Sequence, residues 1–136
     1  GLTNGTAYTF DVAATNAVGT GAASARSTSV TPAGPPAAPV IGTAAAGAAG
    51  GTLTAIANWT PPASNGGSAV TGYRVNALRM SATGTVLATT TSAVQPATAR
   101  SLQMTLAAGN YRFTVVAINA VGPSAASARS NQVAAR

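Results

Sequence analysis

Tyr111-Arg112-Phe113-Thr114-Val115-Val116-Ala117-Ile118-Asn119-Ala120-Val121-Gly122 is the stretch on which the reading of this chain turns. Tyr111, Phe113, Val115, Ala117 and Asn119 fall at every second position. Successive side chains of a strand point to opposite faces, so this row belongs to one face of a strand laid on a core. Asn119-Ala120-Val121-Gly122-Pro123 then ends the strand with turn chemistry. The stretch has a second copy. Residues 8–30 and 111–133 are identical at 15 of 23 aligned positions, among them Tyr8/Tyr111, Phe10/Phe113, Val12/Val115, Asn16/Asn119 and Arg26/Arg129. The offset of 103 residues is the length of one small all-β domain, and is too long for a solenoid repeat.

Working outward, Pro32-Ala33-Gly34-Pro35-Pro36-Ala37-Ala38-Pro39 separates the two copies. Proline fixes its own φ and holds the residue before it extended, so this is a short stiff linker. Upstream of it, strands over 8–16 and 24–31 form a hairpin, with no further strands to complete a sheet. Downstream, strands are expected over 40–44 and 52–60, the latter with Leu53, Ala55, Ala57 and Trp59 on one face. Further strands are expected over 70–80, with Tyr73, Val75 and Ala77 inward, and over 85–91. Leu102, Met104 and Leu106 alternate in another. Residues 111–119 and 127–133 close the set, while 92–99 reads as irregular around Pro96. Seven short strands over about 100 residues predict an all-β, two-sheet sandwich.

In this order, Trp59-Thr60-Pro61-Pro62, Gly72-Tyr73-Arg74-Val75 and the run from Leu106 through Gly109, Tyr111 and Phe113 to Gly122 resemble a fibronectin type III domain. The resemblance implies an immunoglobulin-like seven-stranded β-sandwich over 35–136, with a core of Trp59, Tyr73, Leu106, Tyr111, Phe113 and Val115. It also implies a tyrosine corner, in which the Tyr111 hydroxyl bonds backbone just upstream. Residues 1–34 resemble only the last two strands, F and G, of a preceding copy, with Leu2, Gly5 and Tyr8 at its corner. There the Leu-to-Tyr gap is one residue longer.

Composition narrows the chemistry. The 136 residues include no Cys and no His; all seven basic residues are Arg, and Asp11 is the one acid. Charged residues make up 6% of the chain against about 25% in ordinary domains, so Ser, Thr, Asn and Gly must cover the surface. General acid–base catalysis needs a group that titrates near neutrality or a pair of carboxylates. Neither is present, and no base is available to activate a Ser or Thr. One carboxylate cannot build a metal site. The chain therefore reads as a non-enzyme with no cofactor. The arginines are dispersed and the few aromatics alternate with core residues, which argues against a nucleic-acid partner or an aromatic sugar platform. No apolar run is long enough to insert in a membrane. The chain opens inside a repeat, so no signal peptide is expected at its start.

Two functions remain open. One is a non-catalytic extracellular spacer in a multidomain secreted or cell-surface protein, whose partners are neighbouring domains of the same polypeptide. The Lys-free mix of Ala, Gly, Thr and Arg points to a bacterial source. The other is an adhesion module that binds a glycan or protein through the BC and FG loops, 63–69 and 119–126. Its candidate contacts are Asn65, Ser68, Val121, Pro123 and Ser124.

Overall fold

Three long strands carry the fold of the computed structural model, which describes all 136 residues. They are β3 (Thr54–Thr60), β4 (Val70–Met80) and β8 (Asn110–Asn119). β4 and β8 pair antiparallel, and their inner-face partners are Tyr73 with Ala117, Val75 with Val115 and Ala77 with Phe113. Each ring therefore sits opposite an alanine, so the row is level enough to take a second sheet. All six of these side chains are buried. Across the core, β3 contributes Ala55, Ala57 and Trp59. The Trp59 and Tyr73 rings meet with centroids 5.5 Å apart and planes tilted by 55°, within the range of favourable aromatic pairs.

The shorter segments complete two sheets. β1 (Val40–Ile41) and β2 (Ala45–Ala46) follow one edge of β3, and β7 (Ser101–Thr105) pairs with its other edge. β5 (Val86–Thr91) and β6 (Gln95–Pro96) follow one edge of β4, while β9 (Val133–Ala134) pairs with β8. The nine segments thus lie on seven tracks, an all-β sandwich of two antiparallel sheets. Asn131 ties the sheets together at one edge. Its Oδ1 accepts from the Ala44 N–H (2.7 Å) and its Nδ2 donates to the Ala44 carbonyl (3.1 Å).

Several expected strands take a different form. The first is split at residues 42–44: the Gly42 N–H still donates to the Asn58 carbonyl (2.7 Å), but the Thr43 carbonyl takes the Asn58 side chain in place of a backbone partner. Leu53 is 37% exposed and lies outside β3; Thr54, bonded to Arg136, takes the buried place at the end of the strand. The stretch 92–99 is less irregular than its sequence suggests, since Gln95 and Pro96 pair with Tyr73 and Gly72. Proline is tolerated there because the strand is an edge.

The largest departure is at 127–133. Regular pairing is confined to Val133 and Ala134, and a serine ladder occupies the rest. The N–H groups of Ser124, Ser127 and Ser130 donate to the carbonyls of Ala117, Val115 and Phe113 (2.8–2.9 Å). In return the three Oγ atoms accept the N–H groups of the same β8 residues (2.9–3.0 Å). Each hydroxyl then donates to the carbonyl of the residue after it. The serine hydroxyl has replaced the serine carbonyl as acceptor. Three residues of the edge therefore advance for every two of β8, a bulge repeated along the strand. Ser92 does the same against Val75 on the opposite edge of this sheet.

Residues 1–34 form a hairpin with closely related bonding. The strands expected over 8–16 and 24–31 are reduced to isolated bridges, Tyr8 with Val30 and Thr15 with Thr20, because the same serine steps interrupt the ladder. Tyr8 and Val30 exchange both backbone bonds at 2.9 Å. Ser27 and Ser24 bond Phe10 and Val12 through N–H and Oγ, as Ser130 and Ser127 bond Phe113 and Val115. Burial is what differs. Phe10 is 47% exposed and Val12 72%, whereas Phe113 and Val115 are fully buried.

Candidate functional site

The loops nominated from the sequence meet at one end of the sandwich, and Asn119 brings them together. This side chain closes the apolar row of β8 and is 4% exposed. Its Oδ1 accepts the N–H groups of Val121 (2.9 Å) and Gly122 (3.0 Å), shaping the loop after β8. Its Nδ2 points the other way. It donates to the carbonyls of Gly34 (2.8 Å), Asn65 (2.9 Å) and, at 3.4 Å, Ser68. One amide therefore joins the loop after β8, the loop before β4 and the proline linker.

The linker is bonded along its length. Gly34 donates to the Gly66 carbonyl (2.8 Å) and Ala37 to the Ser64 carbonyl (2.9 Å), while Pro36 and Pro39 are buried. Within the loop, Asn65 Oδ1 accepts the Gly67 N–H at 2.9 Å. Gly66 and Gly67 have φ of +72° and +83°, the left-handed region that side chains disfavour. They are also where backbones touch. A Cβ on Gly66 would strike the Gly34 and Pro35 carbonyls; one on Gly67 would lie 2.8 Å from Gly5 Cα and 3.0 Å from the Pro32 carbonyl oxygen.

The nominated contacts divide accordingly. The backbone carbonyls of Asn65 and Ser68 turn inward to Asn119, and Ser124 is buried with its hydroxyl in the ladder. Val121, half exposed, and Pro123 face outward. The sequence reading missed Asn119 as a hub. The available signal was a polar residue at the end of an otherwise apolar alternating row.

Nothing at this end resembles a reaction centre. No concave pocket opens on the surface, and no three His, Cys, Asp or Glu side chains come together. No helix is long and apolar enough to cross a membrane. Arg100 is held locally, donating to the Ala97 (2.9 Å) and Ala99 (2.6 Å) carbonyls with its guanidinium 5.8 Å from the Tyr73 ring centroid. Both corner tyrosines bond backbone just upstream. Tyr111 donates to the Ala107 carbonyl (3.0 Å), while the Tyr8 oxygen accepts the Thr3 N–H (2.9 Å). That Thr3 bond holds the Tyr8 phenol below the ordinary tyrosine value.

Two antiparallel sheets on seven tracks, closed by a tyrosine corner, define an immunoglobulin-like sandwich. The family model for the fibronectin type III domain matches residues 47–133, and the chain belongs to that family. No curated protein matches the sequence. Among solved structures, the chain is similar to the FN1–FN3 domains of chicken CNTN1, with TM-score 0.58 and 19% identity, over 99% of this chain and 44% of that one. Titin kinase with its flanking domains gives TM-score 0.58 and 24% identity over 74% of this chain. The FN5 domain of Drosophila Lar gives 0.52 and 18% over 74% of this chain and 96% of its own. The chain spans only 17% of the titin kinase structure and 36% of titin domains A168–A170. At these identities the likeness is one of fold.

Proposed function

We propose that this chain is a spacer segment of a tandem array, in which residues 35–136 form one complete fibronectin type III unit and residues 1–34 are strands F and G of the unit before it. The observation that carries the reading is the docked linker. Pro32 to Ala37 bonds the loop 64–68 and Asn119, so the end of the sandwich that an adhesive module would offer to a ligand is occupied by the chain itself. Three further facts support it. The hairpin repeats two of the three serine steps of the β8 ladder, at Ser24 and Ser27, the CNTN1 likeness covers 99% of this chain, hairpin included, and the sequence has no His, Cys, Glu or Lys. The parent is a secreted or cell-surface protein, of bacterial origin by its composition, and this part of it is non-catalytic.

A second reading keeps some support from Val121 and Pro123, which face outward beside the linker. In it, the loop after β8 holds a glycan or protein. Immobilised chain tested against a glycan array separates the two. The spacer reading predicts no saturable binding. Saturable binding that Val121→Asp abolishes would establish the second reading in its place. Turnover lost on replacing a single residue of this chain would overturn both.

A further inference from the structure

We infer that Asn119, with Gly66, is a clasp that holds the linker in one path and so fixes the direction in which the preceding unit departs. The inference rests on the tandem reading and adds a rigid joint to it.

The repeat itself separates the two jobs of this asparagine. Asn16 occupies the equivalent place in the hairpin, and its Oδ1 accepts the Val18 (2.9 Å) and Gly19 (3.2 Å) N–H groups, as Asn119 Oδ1 does for Val121 and Gly122. Shaping the loop is therefore intrinsic to the hairpin and needs no linker. Asn16 Nδ2 makes no hydrogen bond in this chain, and its Oδ1 bonds form all the same. Asn119 Nδ2, on the same local frame, takes the carbonyls of Gly34 and Asn65. The amide nitrogen is thus the clasping half of the side chain. It is buried, so losing an acceptor there carries a desolvation cost that water cannot offset.

The glycines make the joint close-fitting. The Gly66 carbonyl accepts the Gly34 N–H, and the absent Gly66 side chain is what lets the carbonyls of Gly34 and Pro35 approach. On the far side, Gly5 donates to the Pro32 carbonyl (2.8 Å) and lies against Gly67, so the corner turn of the hairpin rests on the loop of the following unit. Proline at 32, 35 and 36 removes most of the remaining backbone freedom. The partner this surface fits is a glycine–proline segment in extended form, presented by the unit immediately upstream.

Asn119→Asp tests the clasp in the intact chain. It keeps Oδ1 for the loop and replaces the donating nitrogen with an oxygen facing the carbonyls of Gly34, Asn65 and Ser68. The readout is amide hydrogen exchange at Gly34 and Ala37, compared with Ser127 and Ser130 in the ladder. The clasp predicts that Gly34 and Ala37 are protected in the wild type. In Asn119→Asp their exchange should rise by at least roughly 5–30-fold, the equivalent of one buried hydrogen bond, because the variant loses every Nδ2 donation and turns a buried carboxylate toward carbonyls, while the ladder amides stay put. Asn16→Asp should change neither. If Asn119→Asp raises the ladder amides equally, Gly66→Ala decides: it wedges the linker away without altering Asn119, and selective exposure of Gly34 and Ala37 is again expected. Unprotected Gly34 and Ala37 in the wild type, or unchanged exchange in a folded variant, would overturn the clasp. That result would leave the spacer reading in place as a flexible tether, whereas ligand binding by the loops would overturn the spacer and leave the clasp.

Discussion

Trp59 shows how much rests on a few residues in this core. Alanines at 44, 55, 57, 77 and 117 bury little area each, so the large side chains carry most of the apolar stabilisation. Trp59 is 3% exposed against Tyr73, and its Nε1 is buried without a partner, so its place is secured by packing alone. Trp59→Ala is expected to cost on the order of 3–5 kcal/mol. Urea denaturation measures this, and an unchanged midpoint would contradict the shared core. Trp59, Tyr73, Phe113 and Val115 were legible because each lies in a period-two row beside turn residues. Leu53 was misplaced by the same rule. Alternation assigned it inward one residue beyond the end of β3, where its carbonyl still accepts the Leu106 N–H but its side chain lies past the covered core.

At the scale of elements, the serine ladder was the part the sequence hid. Period-two alternation finds strands whose backbones bond each other, and β4 and β8 were readable for that reason. A strand that advances three residues for two has its buried positions at 124, 127 and 130, and no alternation marks it. The Ser-Ala-Arg-Ser segments of both copies carry the signal, as serine at every third place. The joint was hidden for another reason: Gly34, Gly66 and Asn119 meet only after folding, and no local pattern links them. The ladder makes a prediction of its own. Ser127→Ala leaves the Val115 N–H buried without an acceptor, at a cost of about 1–3 kcal/mol. Ser24→Ala removes the equivalent bond to the Val12 N–H, but at an exposed place where water substitutes. Denaturation of the two variants should show a clear loss for the first and a much smaller one for the second. Equal effects would mean that burial does not set the value of the ladder bonds.

For the whole molecule, two hairpins of nearly the same sequence and bonding sit in different surroundings. Around β8 an opposing sheet covers the row of Tyr111, Phe113 and Val115. Over the first hairpin nothing covers Phe10 and Val12, and a two-stranded hairpin in water is marginal by itself. Stability lives in the covered core of 35–136, and the hairpin, with its apolar row exposed, adds little to it. Amide hydrogen exchange on the monomeric chain tests this directly, because the paired bonds match in length and differ in burial. Ser127 and Ser130 should be protected to nearly the global stability of the domain, with Ser24 and Ser27 exchanging orders of magnitude faster. Equal protection of the two serine pairs at low concentration would show that the hairpin is as stable as the complete unit, and would contradict the account.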